Sequence, residues 1–448
     1  MRFDVRAFSI GFRRGLATKL LRLCELSLAL RSRPLVMGAL VFCIALSVFF
    51  ARRPEIILNP QLWAEDGTIW YADAYNLGPF RSLLIPYTAY FQTFSRAVFG
   101  IGLLFPMEYV PLWANLIGLM CRCVLPIFFF SSRFQWVDWR VKVLVGIYYC
   151  LMPHLAEVHA NITNTQTYLG LYLLLLVLAE RPKSWRALFH DLAALVICGL
   201  SCPIIVFTVP CWIVRECADL KGSSVGWREV VAKVTTPFSV VMFAIALIQT
   251  VAYILTVDSQ RGGVPTGATF GRLMRIVAGR IFAGFITPYD WLQHTTRPVL
   301  AAVIFGIGAA ILILTIVRGD WRSRCLVLFP VLIMAATLYN PVARPPGPTW
   351  PVFLQPNGTF ERYFVTPNLC WFAILLQFTV LYGRWFRMVA FKISAPALVL
   401  LLLPAFRISP LPDFKFSQEV ERFKSAPSGQ KVVLTILPPG WSMVLLKK

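Results

Sequence analysis

The chain of 448 residues is 58% hydrophobic and 14% charged, with a formal net charge of +22 and a mean hydropathy of +0.67. That balance excludes an ordinary soluble enzyme and describes an all-α polytopic membrane protein, expected to cross the bilayer about 10–12 times. The 43 Lys and Arg sit mostly in short loops beside apolar runs, where membrane topology accounts for them and a nucleic-acid partner is unnecessary.

Residues 1–33 hold Arg2, Arg6, Arg13, Arg14, Lys19, Arg22, Arg31 and Arg33 against only Asp4 and Glu25, and are expected to form a cytoplasmic amphipathic arm. No small-residue cleavage pattern follows the first apolar run, so a retained helix is expected rather than a signal peptide. The first span is read at 35–50, and residues 34–404 form the membrane body. The long loop 52–110 is then outside, and it carries Trp63-Ala64-Glu65-Asp66-Gly67, Trp70, Tyr71 and Asp73. Two adjacent carboxylates at the mouth of a membrane bundle are costly unless each finds water, a cation or a proton.

Spans at 111–130, 141–151 and 167–178 follow, with a second outer loop at 152–166. The apolar block 192–214 has cations on both sides, so two short half-helices broken at Gly199-Leu200-Ser201-Cys202-Pro203 are preferred to one crossing. Further spans are read at 234–256, 299–317, 326–338, 363–382 and 389–404. Topological parity then places the loops 258–297 and 340–362 outside, together with the tail 405–448. In that tail, 431–437, Pro438-Pro439-Gly440 and 441–446 read as strand, turn and strand. Most of the eleven Cys lie in or beside apolar segments, and no extracytoplasmic disulfide framework is evident.

Asp66, Trp70 and Asp73 are spaced to share one face of a short helix beginning near Glu65, although Asp66 would also serve there as a helix cap. Tyr87 and Arg96 belong to an aromatic stretch suited to phosphate and sugar, or to anchoring at the interface. His154-x-x-Glu157-x-His159 misses the spacing of the known zinc helices, and His159, Asn161, Asn164 and Gln166 are candidate polar contacts to substrate. Arg362-Tyr363 stands where the Pro-rich outer loop enters a span. Asn161-Ile162-Thr163 and Asn357-Gly358-Thr359 match the short pattern of a glycosylation acceptor.

A cytoplasmic N-terminus, one span, a long outer loop with adjacent acidic residues and about ten more crossings with aromatic and Arg-rich outer loops resemble the integral-membrane C-type (GT-C) glycosyltransferases. The resemblance covers 35–404. It implies a bacterial inner-membrane enzyme that moves a sugar from a polyprenyl-phosphate donor to a cell-envelope glycan or lipid acceptor at the periplasmic face, by direct inverting displacement. It also implies that Glu65 or Asp66 is the catalytic base or helps hold a divalent cation such as Mg or Mn, and that Arg96 and Arg362 contact phosphate. The chain lacks a large soluble C-terminal domain and a WWD-type motif, which separates it from oligosaccharyltransferases. The rival expectation is a transporter or flippase of a lipid-linked or anionic solute, favoured by the break at Ser201-Cys202-Pro203.

Overall fold

The computed structural model describes residues 33–220, 231, 235–261, 265–341, 347–355, 360–380 and 384–448. The basic arm up to residue 32 and Asn357-Gly358-Thr359 lie outside the described residues.

The chain folds as an all-α polytopic membrane protein and, among the described residues, carries one small β-hairpin in its C-terminal stretch. Helix α1 (Pro34–Arg52) starts on a proline, which suits a first helical turn whose N–H has no partner, and packs along α3 (Val110–Phe130). Between them runs α2 (Thr93–Gly102). Next come α4 (Trp139–Leu151), capped by Asp138, and α5 (Thr165–Leu178). Beyond its polar first turn, helix α5 is apolar all round and buried on nearly every side, which makes it the axis of the bundle. Around it stand α6 (Trp185–Gly199), α7 (Ile205–Leu220), α8 (Pro237–Arg261), α9 (Pro298–Arg318), α10 (Trp321–Tyr339), α11 (Val365–Val380) and α12 (Arg384–Leu402).

Among the described residues, eleven helices longer than twelve residues therefore form the bundle, and five of them are long and apolar enough to cross a membrane: α1, α3, α8, α9 and α10. Among the remaining crossings read from the sequence are shorter helices such as α5, whose 14 residues rise about 21 Å, short of a hydrocarbon layer about 30 Å thick.

The break expected at 199–203 is present, but its arms are fuller than half-helices, with 15 residues in α6 and 16 in α7. Their far ends meet at the turn after α5, where Arg133 pairs with Asp191 at 2.8 Å and Arg181 with Glu216 at 2.6 Å. At the break itself, the Thr93 N–H donates to the Leu200 carbonyl (3.1 Å) and the Phe94 N–H to the Ser201 hydroxyl (3.0 Å). The two helices thus form a hairpin bent at the end of the bundle where the 52–110 segment lies.

The stretch 258–297, expected as a loop, is largely helical. Phe270–Ile276 continues as a π-turn over Val277–Phe282, and Tyr289–Thr295 follows. In the tail, α13 (Phe416–Ser425) precedes antiparallel strands β1 (Lys431–Ile436) and β2 (Trp441–Leu446). Alternation along β1 buries Val432, Leu434 and Ile436 against a second apolar core shared with Trp70, Tyr71 and α13. Leu437 donates to the Leu62 carbonyl (3.1 Å), and the Thr68 hydroxyl to that of Ser442 (2.7 Å), so the hairpin backs the segment that carries Glu65.

Candidate active site

The acidic segment enters on a strained backbone. Ala64, at φ +45°, lies in the left-handed region, and a π-turn over Asp66–Tyr71 runs into the helix Ala72–Leu77. Six of the seven non-glycine residues with positive φ among the described residues (Ala64, Thr88, Ala89, His154, Ala160 and Phe360) flank the same group of loops. Strain of about 1–3 kcal/mol per residue persists only where surrounding contacts over-determine the conformation, and it gathers at working sites.

These loops and the adjacent helix ends enclose a cavity of about 350 Å³. One wall is polar, with Glu65, Gln92, Asn164, Gln166, Gln249 and Arg362. Tyr87, Tyr90 and Tyr363 add aromatic faces. Much of the remaining lining is apolar and comes from Ile204, Val206 and Phe207 around the start of α7 and from Ile333 and Ala336 of α10.

Glu65 is the one carboxylate on this wall among the described residues. Burial raises its carboxyl above the ordinary 4.5, Arg362 opposes the shift and Glu157 adds to it. Asp66 turns away from the cavity. Its side chain is 1% exposed and accepts the backbone N–H groups of Ile162 (3.1 Å) and Thr163 (2.8 Å), which staples the first loop to the second. Burial pushes its carboxyl up to about 7, against the pull of those two donors and the Thr163 side chain. The π-turn separates the two neighbours: Glu65 faces the chamber and Asp66 the loop behind it.

Arg96 and Asp73 find each other rather than the cavity, pairing at 2.9 Å while the guanidinium lies 5.1 Å from the centre of the Trp70 ring. Trp70 itself lines the chamber, donates to the Thr163 hydroxyl (2.8 Å) and meets Tyr87 edge-on. Arg362 reaches the chamber with its guanidinium paired to Glu157, whose carboxylate also accepts the Arg362 backbone N–H at 3.2 Å. Burial works against the charge of Arg362, but Glu157, Tyr363 and Glu65 together raise its pKa. Glu361, 0% exposed, accepts the Glu157 N–H (2.8 Å) and is pushed up to about 8 by burial.

The second loop supplies the floor. Asn161 and Asn164 both donate to the Glu157 carbonyl, at 2.7 and 3.0 Å, and Tyr90 donates to Gln166 at 2.9 Å. The three members of His154-x-x-Glu157-x-His159 point to three different partners. His154 donates from Nε2 to the Thr287 carbonyl (2.7 Å), Glu157 holds Arg362, and His159 Nδ1 accepts from the buried Arg122 at 2.6 Å. Burial and the nearby arginines hold His159 well below its ordinary value, so it is neutral and lies behind the cavity wall.

Two contributors escape a reading by sequence. Glu157 orders Arg362 from 205 positions away, which no local pattern signals. Gln249, from α8, bonds Phe91 and the Gly199 carbonyl while lining the chamber, and the one clue to it is an amide in an otherwise apolar run.

The donor set fits a divalent cation poorly. A hard cation needs several oxygen ligands, whereas Asp66 already accepts two N–H groups, Glu157 is paired to Arg362, and a guanidinium faces the chamber beside Glu65. Among the described residues, no group of three or more His, Cys, Asp or Glu side chains is placed to hold a metal ion.

No family model and no curated protein matches the chain. Two solved structures of the Archaeoglobus fulgidus oligosaccharyltransferase are similar to it. One is a complex with Zn and sulfate, at 14% identity and a TM-score of 0.49 over 87% of this chain and 56% of that one. The other, tethered to an acceptor peptide containing an NVT sequon, is at 13% identity and 0.43 over 90% and 61%. The chain thus spans less than two thirds of the length of either structure.

Proposed function

We propose that the protein is a membrane glycosyltransferase that moves a sugar from a polyprenyl-phosphate donor to a hydroxyl of a cell-envelope glycan or lipid. One observation carries this reading: Glu65 and Arg362 line a single cavity whose lining also takes in apolar side chains of α7 and α10. An acceptor hydroxyl needs a base, a departing phosphate needs a cation, and a prenyl chain needs an apolar surface. All three requirements converge on that chamber.

The acceptor O–H gives its proton to Glu65 as its oxygen bonds to the anomeric carbon, on the face opposite the phosphate. The anomeric C–O bond to phosphate breaks, its electron pair leaves with the polyprenyl phosphate, and Arg362 meets the charge that develops. Asp66 acts as a positioning residue that holds the second loop, and the Asp73–Arg96 pair braces Trp70. Tyr87, Tyr90, Asn164 and Gln166 provide hydroxyl and amide groups for the sugar, with Tyr363 beside Arg362. His159 and Asn161 support the loop from behind. In this reading the protein sits in a bacterial inner membrane with the cavity at the periplasmic face, in keeping with the excess of cations in the opposite loops.

The transport reading draws on a different observation, that Pro203 and Ile204 at the helix break line the same cavity. The two are separated with purified protein in nanodiscs and in sealed vesicles, supplied with polyprenyl-phosphate sugars. Transfer that falls at least ~100-fold in Glu65→Gln, with the fold retained, supports the enzyme. Movement of the lipid across vesicles without any transfer, unaffected by that substitution, overturns it.

A further inference from the structure

A second and larger chamber, of about 880 Å³, lies at the other end of the bundle. Its position follows from two helices shared with the first cavity. In α10, Ser323 and Leu326 line the second chamber, and Thr337 and Tyr339 the first. In α5, Leu174 and Leu178 line the second, and Gln166 and Thr167 the first. The shared helices place the two chambers end to end, separated by about 6 Å of α5 between Thr167 and Leu171 and by about 10 Å of α10 between Leu326 and Ile333.

The lining changes character along its depth. Deep inside it is apolar, with Leu125, Tyr149, Leu171, Leu174 and Leu369, whereas Asp138, Arg318, Asp320 and Ser323 form the rim. Both rim carboxylates are already engaged as helix caps. Asp138 accepts the Arg140 N–H at 2.8 Å, and Asp320 accepts the Ser323 N–H at 2.8 Å and its hydroxyl at 2.6 Å. Arg318, at the end of α9, brings a cation to the mouth, and Arg322 lies over the ring of Trp136, another lining residue, at 4.2 Å. An apolar chamber of this size left unfilled forfeits the dispersion contacts of its whole lining, and its volume falls in the ~300–1,000 Å³ range of ligand sites. With both carboxylates tied into helix caps, the Arg318 guanidinium at the rim and the aliphatic walls beneath it match an anionic head group on a long apolar chain.

We propose that this chamber is a site for one anionic glycerophospholipid of the surrounding bilayer, its acyl chain between α3, α5 and α11 and its phosphate at Arg318. The site is separate from the Glu65 cavity and serves whichever activity that cavity has.

The test uses full-length protein, native mass spectrometry after a delipidating detergent wash, and added phosphatidylglycerol, phosphatidylethanolamine or polyprenyl phosphate. Wild-type protein should keep one phosphatidylglycerol in preference to the other two. Arg318→Ala should lose roughly tenfold in that affinity, as removal of a charge-assisted contact predicts, while Arg407→Ala, remote from the rim, should not. Ala373→Trp, which fills the chamber, should lose the lipid while eluting as folded protein, with Leu174→Phe as a second filling variant. No retained lipid, retention unaffected by Arg318→Ala and both filling variants, or preference for polyprenyl phosphate would each overturn the proposal.

Discussion

Replacing Asp66 by alanine separates its placement in the fold from that of its neighbour. The change strips the acceptor from two buried N–H groups, those of Ile162 and Thr163 at 3.1 and 2.8 Å. Each buried donor left unpaired costs about 1–3 kcal/mol, so the deficit expected where the carboxyl is uncharged is roughly 2–6 kcal/mol. The pH dependence then has a definite sign. Burial lifts the Asp66 carboxyl from 3.8 to about 7, so the folded protein holds a proton that the unfolded chain has released. Its contribution to stability is therefore full below about pH 4 and declines as pH rises to 7, by on the order of 4 kcal/mol. Asp66→Ala has no such term, and its deficit should be large at pH 5 and shrink by pH 8. Titration with SDS in mixed micelles, followed by tryptophan fluorescence at both values, measures it. A deficit absent at pH 5, or one that grows toward pH 8, refutes the assignment of Asp66 as the staple between the two loops.

Glu65→Gln should keep the fold and, because burial holds the Glu65 carboxyl above 4.5, should not lower the unfolding midpoint at neutral pH. With burial holding the Glu65 carboxyl above 4.5, the wild-type rate should fall as pH drops through a midpoint above that value, and a pH–rate profile of the Gln variant should lack that limb. Arg362→Lys keeps the charge but loses the planar fork, and should lower kcat/KM for the donor by about 10–100-fold in steady-state assays; an unchanged value would remove Arg362 from phosphate contact. A Cβ added at Gly118 would sit 2.8 Å from the carbonyl carbon and oxygen of Ala160, backbone atoms that cannot swing aside. Gly118→Ala should cost about 1–3 kcal/mol and displace the loop that donates to Asp66, which thermal unfolding and protease sensitivity near residue 160 would report.

The membrane class, the helix break near 199–203 and the β-hairpin are legible in the chain itself, because each rests on local composition or spacing. Apolar runs must leave water, a proline ends a helix, and alternation over six residues suits one buried face of a strand. The fate of each charge was decided elsewhere. Asp66 and Glu65 are chemically near-equal neighbours, yet a π-turn and the N–H groups of residues 162 and 163 bury one while the other faces a cavity. Arg96, expected at a ligand, is neutralised by Asp73 at 2.9 Å, and Arg362 is held by Glu157, 205 positions earlier in the chain. A charged side chain's behaviour depends on its solvation and on its nearest countercharge, and both are set by segments distant in sequence that meet only when the bundle closes.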